Sequence, residues 1–304
     1  MLTFKDLQDR VLRYLDEAGD TDTTLALVKD ALNAANTLRA AKEKWPFLLW
    51  DAPVTLTIVP GQRVYTLHPE YHRPLYFYNQ TVRDYLTQTT TQNLVASNAD
   101  WNNDTGSALS FTLWSRSPVA QQPSSASALT LSSSSATDNG SMSVTVRGDT
   151  AVGVTTETIV CGTTGSVAFT RILRVTKSDG WVGTLTLAAG AATLLTLFPA
   201  EAGRSYQQLR LLASPDTAET VEYLFYRQPT LMENDNDLPD IPPPYELLLV
   251  YDALLYFASY NEYTGTTVEL WKLEQQKWQT ALEQSMSDDT ALEARVTYVD
   301  YIPR

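Results

Sequence analysis

The chain is poor in the residues that carry covalent and metal chemistry. Its 304 residues include one cysteine and two histidines. A single cysteine, Cys161, excludes an internal disulfide framework and fits assembly in a reducing cytoplasm. A Ser–His or Cys–His nucleophile would have to use His68 or His72, and nothing near Cys161 marks it as activated. No apolar run approaches the ~20 residues of a membrane helix, and the longest, residues 247–258, is interrupted by Asp252. The opening MLTFKDLQDRV lacks a basic-then-apolar leader, so no signal peptide is expected. No glycine loop of either common phosphate-cradling type occurs. With 35 acidic residues, pairs of carboxylates are unavoidable, so their spacing says nothing about glycoside hydrolysis.

Basic charge is scarce and unevenly placed. Residues 1–215 hold 17 Lys+Arg and 18 Asp+Glu, whereas residues 216–304 hold 5 and 17. The C-terminal third therefore carries nearly all of the net −13. Wrapping of nucleic acid needs a basic stripe, and the sequence shows none. An acidic face serves solubility, or forms a wall that does not hold passing DNA.

What is present divides by period. Phe4, Leu7, Val11 and Leu15 recur at helical spacing over residues 3–18, with Thr3 as N-cap and Asp6 in the first turn. A second helix starts near Asp22, buries Leu25, Val28, Leu32, Ala35 and Leu38, and stops at Pro46. The period then changes to two: Val54, Leu56 and Ile58, a Pro60-Gly61 turn, then Val64, Tyr65 and Leu67. Residues 75–78 and 109–114 read as further strands. Residues 118–200 hold 26 Ser+Thr with four acids and four bases. Short alternating segments between glycines there predict an inserted β-sandwich. Two more strands, residues 206–212 and 220–226, precede an acidic loop and a proline-rich entry to a helix. Residues 247–260 are apolar nearly all round, which predicts burial on several sides. A last helix over residues 267–286 shows Val268, Trp271, Trp278 and Leu282 on one face. Residues 295–302 alternate like a strand and have no local partner.

Several patterns invite a chemical reading. His68, Glu70 and His72 would share one face of an extended segment, but Pro69 and Pro74 speak against that strand, and no metal site is assigned. Glu233, Asp235 and Asp237 lack the glycine and distal glutamate of an EF-hand and read as a solvated loop. Arg147-Gly148-Asp149 matches an adhesion tripeptide, yet Gly148-Asp149 reads as a hairpin turn. Trp271 and Trp278 are seven apart, which is a packing seam. No catalytic residue and no cofactor are expected.

The order of these segments resembles the head-to-tail adaptor family of tailed bacteriophages. The resemblance rests on residues 3–17 (TFKDLQDRVLRYLDE), 28–48 (VKDALNAANTLRAAKEKWPFL), 55–67 (TLTIVPGQRVYTL), 239–260 (PDIPPPYELLLVYDALLYFASY) and 271–282 (WKLEQQKWQTAL). His68 before Pro69 departs from it, since the strand would be expected to run straight into the proline. The fold expected is α+β. An adaptor core of residues 1–117 and 201–304 makes a helical body with a β-rich part, and an immunoglobulin-like sandwich of residues 118–200 is inserted in it.

The resemblance implies a structural virion protein at the neck, made in the host cytoplasm, and not an enzyme. It implies a homo-oligomeric ring, dodecameric, docked under the portal protein and joined to tail or further neck proteins. DNA would pass through without specific binding, and no membrane would be involved. Val296, Tyr298, Val299, Tyr301 and Ile302 are the expected docking residues, in an extended tail that engages the portal or a neighbouring subunit. Glu233, Asp235, Asp237 and Asp240 are the expected channel-facing acids. The rival reading is a phage tail or surface protein whose sandwich binds a host glycan.

Overall fold

The computed structural model describes residues 1–15, 22–42, 44–90, 92–93, 104–260 and 266–299. By packing, the chain falls into two units. One is helical, residues 1–51 and 226–304, and the other is β, residues 52–225. This division differs from the division by sequence, because the strands on either side of the insert group with it and not with the helices.

The helical unit contains α1 (Phe4–Tyr14), α2 (Asp22–Lys42), α3 (Leu247–Tyr260) and α4 (Thr266–Val299). Thr3 caps α1 through a reciprocal box: its hydroxyl accepts the Asp6 N–H at 3.2 Å, and the Asp6 carboxylate accepts the Thr3 N–H at 2.9 Å. The apolar α3 is the hub of the unit and packs against α1, α2 and α4. Its Leu248, Leu249, Val250, Ala253 and Leu254 are fully buried, as the all-round hydrophobicity predicts. On α4, Val268, Trp271 and Leu282 are buried, so the expected stripe is there.

The backbone of α4 corrects the reading of the C-terminus. The helix runs through Ser287 and Asp288 to Val299, so Val296, Tyr298 and Val299 lie on a helix and not on an extended strand. Tyr301 and Ile302 lie outside the described residues. Between residues 266 and 302 there is no glycine or proline, and helix extension costs little once a turn exists.

In the β unit, the strands flanking the insert make two four-stranded sheets. One has the order β1 (Val54–Ile58), β15 (Glu219–Arg227), β3 (Tyr71–Asn79), β4 (Asp84–Tyr85). The last residues of β15 pass into the helical unit. The other has the order β2 (Val64–Thr66), β14 (Tyr206–Leu211), β6 (Ser110–Ser117), β5 (Thr87–Gln88). Consecutive β1 and β2 thus belong to different sheets. The turn between them needs the positive φ of Gly61 (+80°) and is tied by the Tyr65 hydroxyl, which accepts the Val59 N–H at 2.9 Å. Pro74 sits within β3 after all. β4 pairs only with Tyr78 and Asn79, so β3 is an edge strand at the proline, where a missing N–H is tolerated. Five rings fill the interior: Phe77 stacks on Tyr223 at 5.1 Å, Phe111 lies 4.5 Å from Phe77, and Tyr71 and Phe225 complete the cluster.

The insert has seven strands in two sheets around one core. The first sheet runs β10 (Thr164–Phe169), β7 (Ser127–Ser133), β12 (Leu185–Ala189), β13 (Ala192–Leu197). The second runs β11 (Arg171–Lys177), β8 (Ser143–Thr150), β9 (Gly153–Val160). Leu131, Val146, Phe169, Leu187 and Leu195 from both sheets are buried together. A two-sheet sandwich is present, but the immunoglobulin order is not. In constant-type immunoglobulin domains the second and third strands lie in different sheets, whereas here β8 and β9 form one hairpin. The chain enters the insert from β6 and leaves it into β14, and these strand ends are paired at Ser117 and Tyr206.

Candidate functional surfaces

The acidic loop is built first as a cap for α1. The first helical N–H groups of α1 have no partner inside the helix. Here the Phe4 N–H donates to the Asp237 carbonyl at 2.8 Å and the Lys5 N–H to the Asp235 carbonyl at 3.0 Å. Asp237 closes the loop on itself, accepting the N–H groups of Glu233 (2.7 Å) and Asn234 (2.8 Å). Those bonds, from Asn234 foremost, hold its carboxyl below the usual carboxylate range. Asp240 pairs with Arg227 and accepts the Thr230 N–H at 2.7 Å. Asp235 reaches Lys29 only at 3.8 Å and its side chain is 61% exposed. Of the four predicted acids, Glu233 and Asp235 therefore point charge at solvent, and Asp237 and Asp240 mainly brace the loop. Sequence reading saw the charges but not the helix end they cover.

A second polar junction joins three helices. Arg39 of α2 and Asp252 of α3 form a forked ion pair with contacts of 2.6–3.0 Å, at 7% and 15% side-chain exposure. The amide of Gln275 on α4 donates to the same carboxylate at 3.0 Å. Asp252 interrupts the longest apolar run of the sequence, and this pairing explains why. A cavity of about 330 Å³ beside it is lined by Ala35, Leu38, Leu255 and Tyr256 as well as the ion pair. Leu38 is 64% and Tyr256 48% exposed there, whereas the sequence pattern predicts Leu38 buried. On α4, Leu270 and Leu273 are about equally exposed, on the face opposite its buried stripe.

The other motifs have structural explanations. His68 Nδ1 accepts the Glu70 N–H at 3.2 Å, and its ring lies 5.4 Å from that of Phe225. Burial lowers the pKa of both His68 and His72. Among the described residues no group of three His, Cys, Asp or Glu is placed to hold a metal. Cys161 is buried, its thiol donates to Asn139 Oδ1 at 3.3 Å, and burial pushes its pKa up. Arg147-Gly148-Asp149 is not a turn. It lies inside β8, and the hairpin bend comes at Ala151 and Val152. A Cβ at Gly148 would sit 2.3 Å from the Arg171 carbonyl and 2.7 Å from the Phe169 ring, so this glycine serves close packing. Among the described residues, no helix is long and apolar enough to cross a membrane.

Residues 2–132 match the family model described as SU10 adaptor protein, which bears out the resemblance to the phage adaptor family over that stretch. The match covers α1, α2, both flanking sheets up to β6, and most of β7. An adaptor family is a family of structural phage proteins, which fits a chain that is not an enzyme. No curated protein matches the chain.

Proposed function

We propose that the chain is the repeating subunit of a ring, dodecameric, that docks under the portal protein and joins the DNA-filled head of a tailed phage to its tail and further neck proteins. The observation that carries this reading is the exposure of Leu38 and Tyr256 at one place on the helical unit and of Leu270 and Leu273 at another. Exposed apolar groups of this kind mark contact surfaces. Two unlike patches suit a heterologous contact, which closes into a ring when the rotation permits. Glu233 and Asp235 face the channel and keep DNA from sticking to its wall. Val296, Tyr298 and Val299 in the last turns of α4, together with Tyr301 and Ile302, engage the portal.

The test is electron microscopy and sedimentation of the purified chain, alone and with its portal. Closed rings, lost on Leu38→Asp/Leu273→Asp with the helical signal kept, are the expected result. A chain that stays monomeric at tens of micromolar, with and without portal, would sink the proposal. Truncation after residue 292 is expected to keep rings and abolish portal pull-down.

A further inference from the structure

Three arginines far apart in the sequence converge on one face of the insert. In the three-stranded sheet, Arg147 of β8 stands directly opposite Arg174 of β11 on one side and Thr156 of β9 on the other. Side chains alternate between the faces of a strand. Val144, Val146, Ile159 and Ile172 take the inner positions and are buried. Arg147, Arg174 and Thr156 therefore stand on the outer face, and all are exposed. The adjoining row on one side is Thr158, Thr145 and Thr176, and on the other Val154, Asp149 and Arg171. Hydroxyls of Thr145 and Thr158 meet at 3.0 Å. Rows two residues apart are spaced about 6.7 Å, so the surface is a flat shelf.

The fold does not ask for this charge. Like charges directly opposite across strands repel. Arg147, Arg171 and Arg174 enter none of the ion pairs among the described residues. The only carboxylate in the three rows is Asp149. A threonine at either Arg147 or Arg174 would satisfy the strand equally well and remove the repulsion.

We propose that this shelf binds an anionic polysaccharide. Guanidinium groups take planar carboxylates or sulfates by paired hydrogen bonds. The flanking threonine hydroxyls both donate and accept, which matches sugar hydroxyls. A phosphodiester backbone offers its phosphates only as acceptors, and three arginines would give a nucleic acid a salt slope of only about −3.

The full-length chain is tested by biolayer interferometry against polygalacturonate and heparin, with dextran as neutral control and duplex DNA as the alternative polyanion. Saturable binding to polygalacturonate or heparin and not to dextran is expected. Arg147→Ser/Arg174→Ser should weaken it at least tenfold without lowering the melting temperature, and Arg147→Lys/Arg174→Lys should weaken it less, because the charge stays while the paired hydrogen bonds are lost. The inference is overturned by equal affinity in the serine variant, by no binding to either polysaccharide, or by binding to DNA alone. Ring formation is not read in this assay, so its failure leaves the adaptor reading standing.

Discussion

Among the described residues, every ion pair but Arg204–Glu201 lies in the helical unit, whereas the five-ring cluster around Phe77 and Tyr223 lies in the β unit. The helical unit holds 12 Lys+Arg against 23 Asp+Glu, and the β unit 10 against 12. Helices satisfy their own backbone but must be fastened to each other and at their ends. Arg39–Asp252, the Asp235 and Asp237 carbonyls on α1, and the Glu246 carboxylate on the Leu2 N–H (2.8 Å) do that fastening. Strands fasten themselves through their ladders, and close packing decides the rest. The two units should therefore fail in response to different insults.

The largest separation is expected from Arg39→Ala. It leaves the Asp252 carboxylate buried without its partner and should cost the helical unit about 3–5 kcal/mol. Urea unfolding followed by hydrogen exchange should show early exposure of α2, α3 and α4 peptides while sandwich peptides keep their midpoint. Equal loss in both units would break the comparison. Gly148→Ala is the converse. Its methyl group collides with the Arg171 carbonyl and the Phe169 ring, so about 1–3 kcal/mol should be lost from the sandwich by overpacking, and the helical peptides should not change.

Mild acid gives the smallest effect and sharpens the contrast. Both histidines lie in the β unit, and burial lowers their pKa below the ordinary 6.5. The unfolded chain then binds more protons than the folded one as pH falls from 6.5, so stability declines through that window. The helical unit has no histidine. Its lowered carboxyls, Asp6 and Asp237, contribute stability that is lost only as pH drops below their ordinary 3.8. Peptides of β3 should thus gain exchange between pH 6.5 and 5 before those of α1, and His68→Gln/His72→Gln should remove the difference. Simultaneous onset in the variant and the parent would show that the histidines are not its source.

The legible parts of the sequence are those fixed by local chemistry. Thr3 with Asp6 reads as a cap because both partners lie within one turn. The burial of α3 follows from its composition, and the stripe on α4 from its spacing. Partners distant in the chain were not legible. Nothing in the composition says that β2 pairs with β14, or that Arg147 and Arg174 stand side by side. The acidic loop showed its charge, but its task of capping α1 depends on a helix more than two hundred residues earlier. Residues 295–299 alternate apolar and polar, yet they continue a helix that nothing interrupts, and continuation outweighs a short alternation. Gly148-Asp149 resembled a turn because glycine is common there, but a neighbouring phenylalanine ring had claimed the missing side chain.

The pairing of Ser117 with Tyr206, where the chain leaves for the insert and comes back, also sets how the insert carries force. Both of its attachment points lie on one rung of the β6–β14 ladder. A pull on the sandwich that parts them loads that ladder from its end, and antiparallel hydrogen bonds lie across the strands. Its rungs therefore open in sequence from Ser117–Tyr206 toward Phe111–Leu211, as a zipper does, and do not break together as in shear. Under such a pull the stem of the insert is loaded one rung at a time.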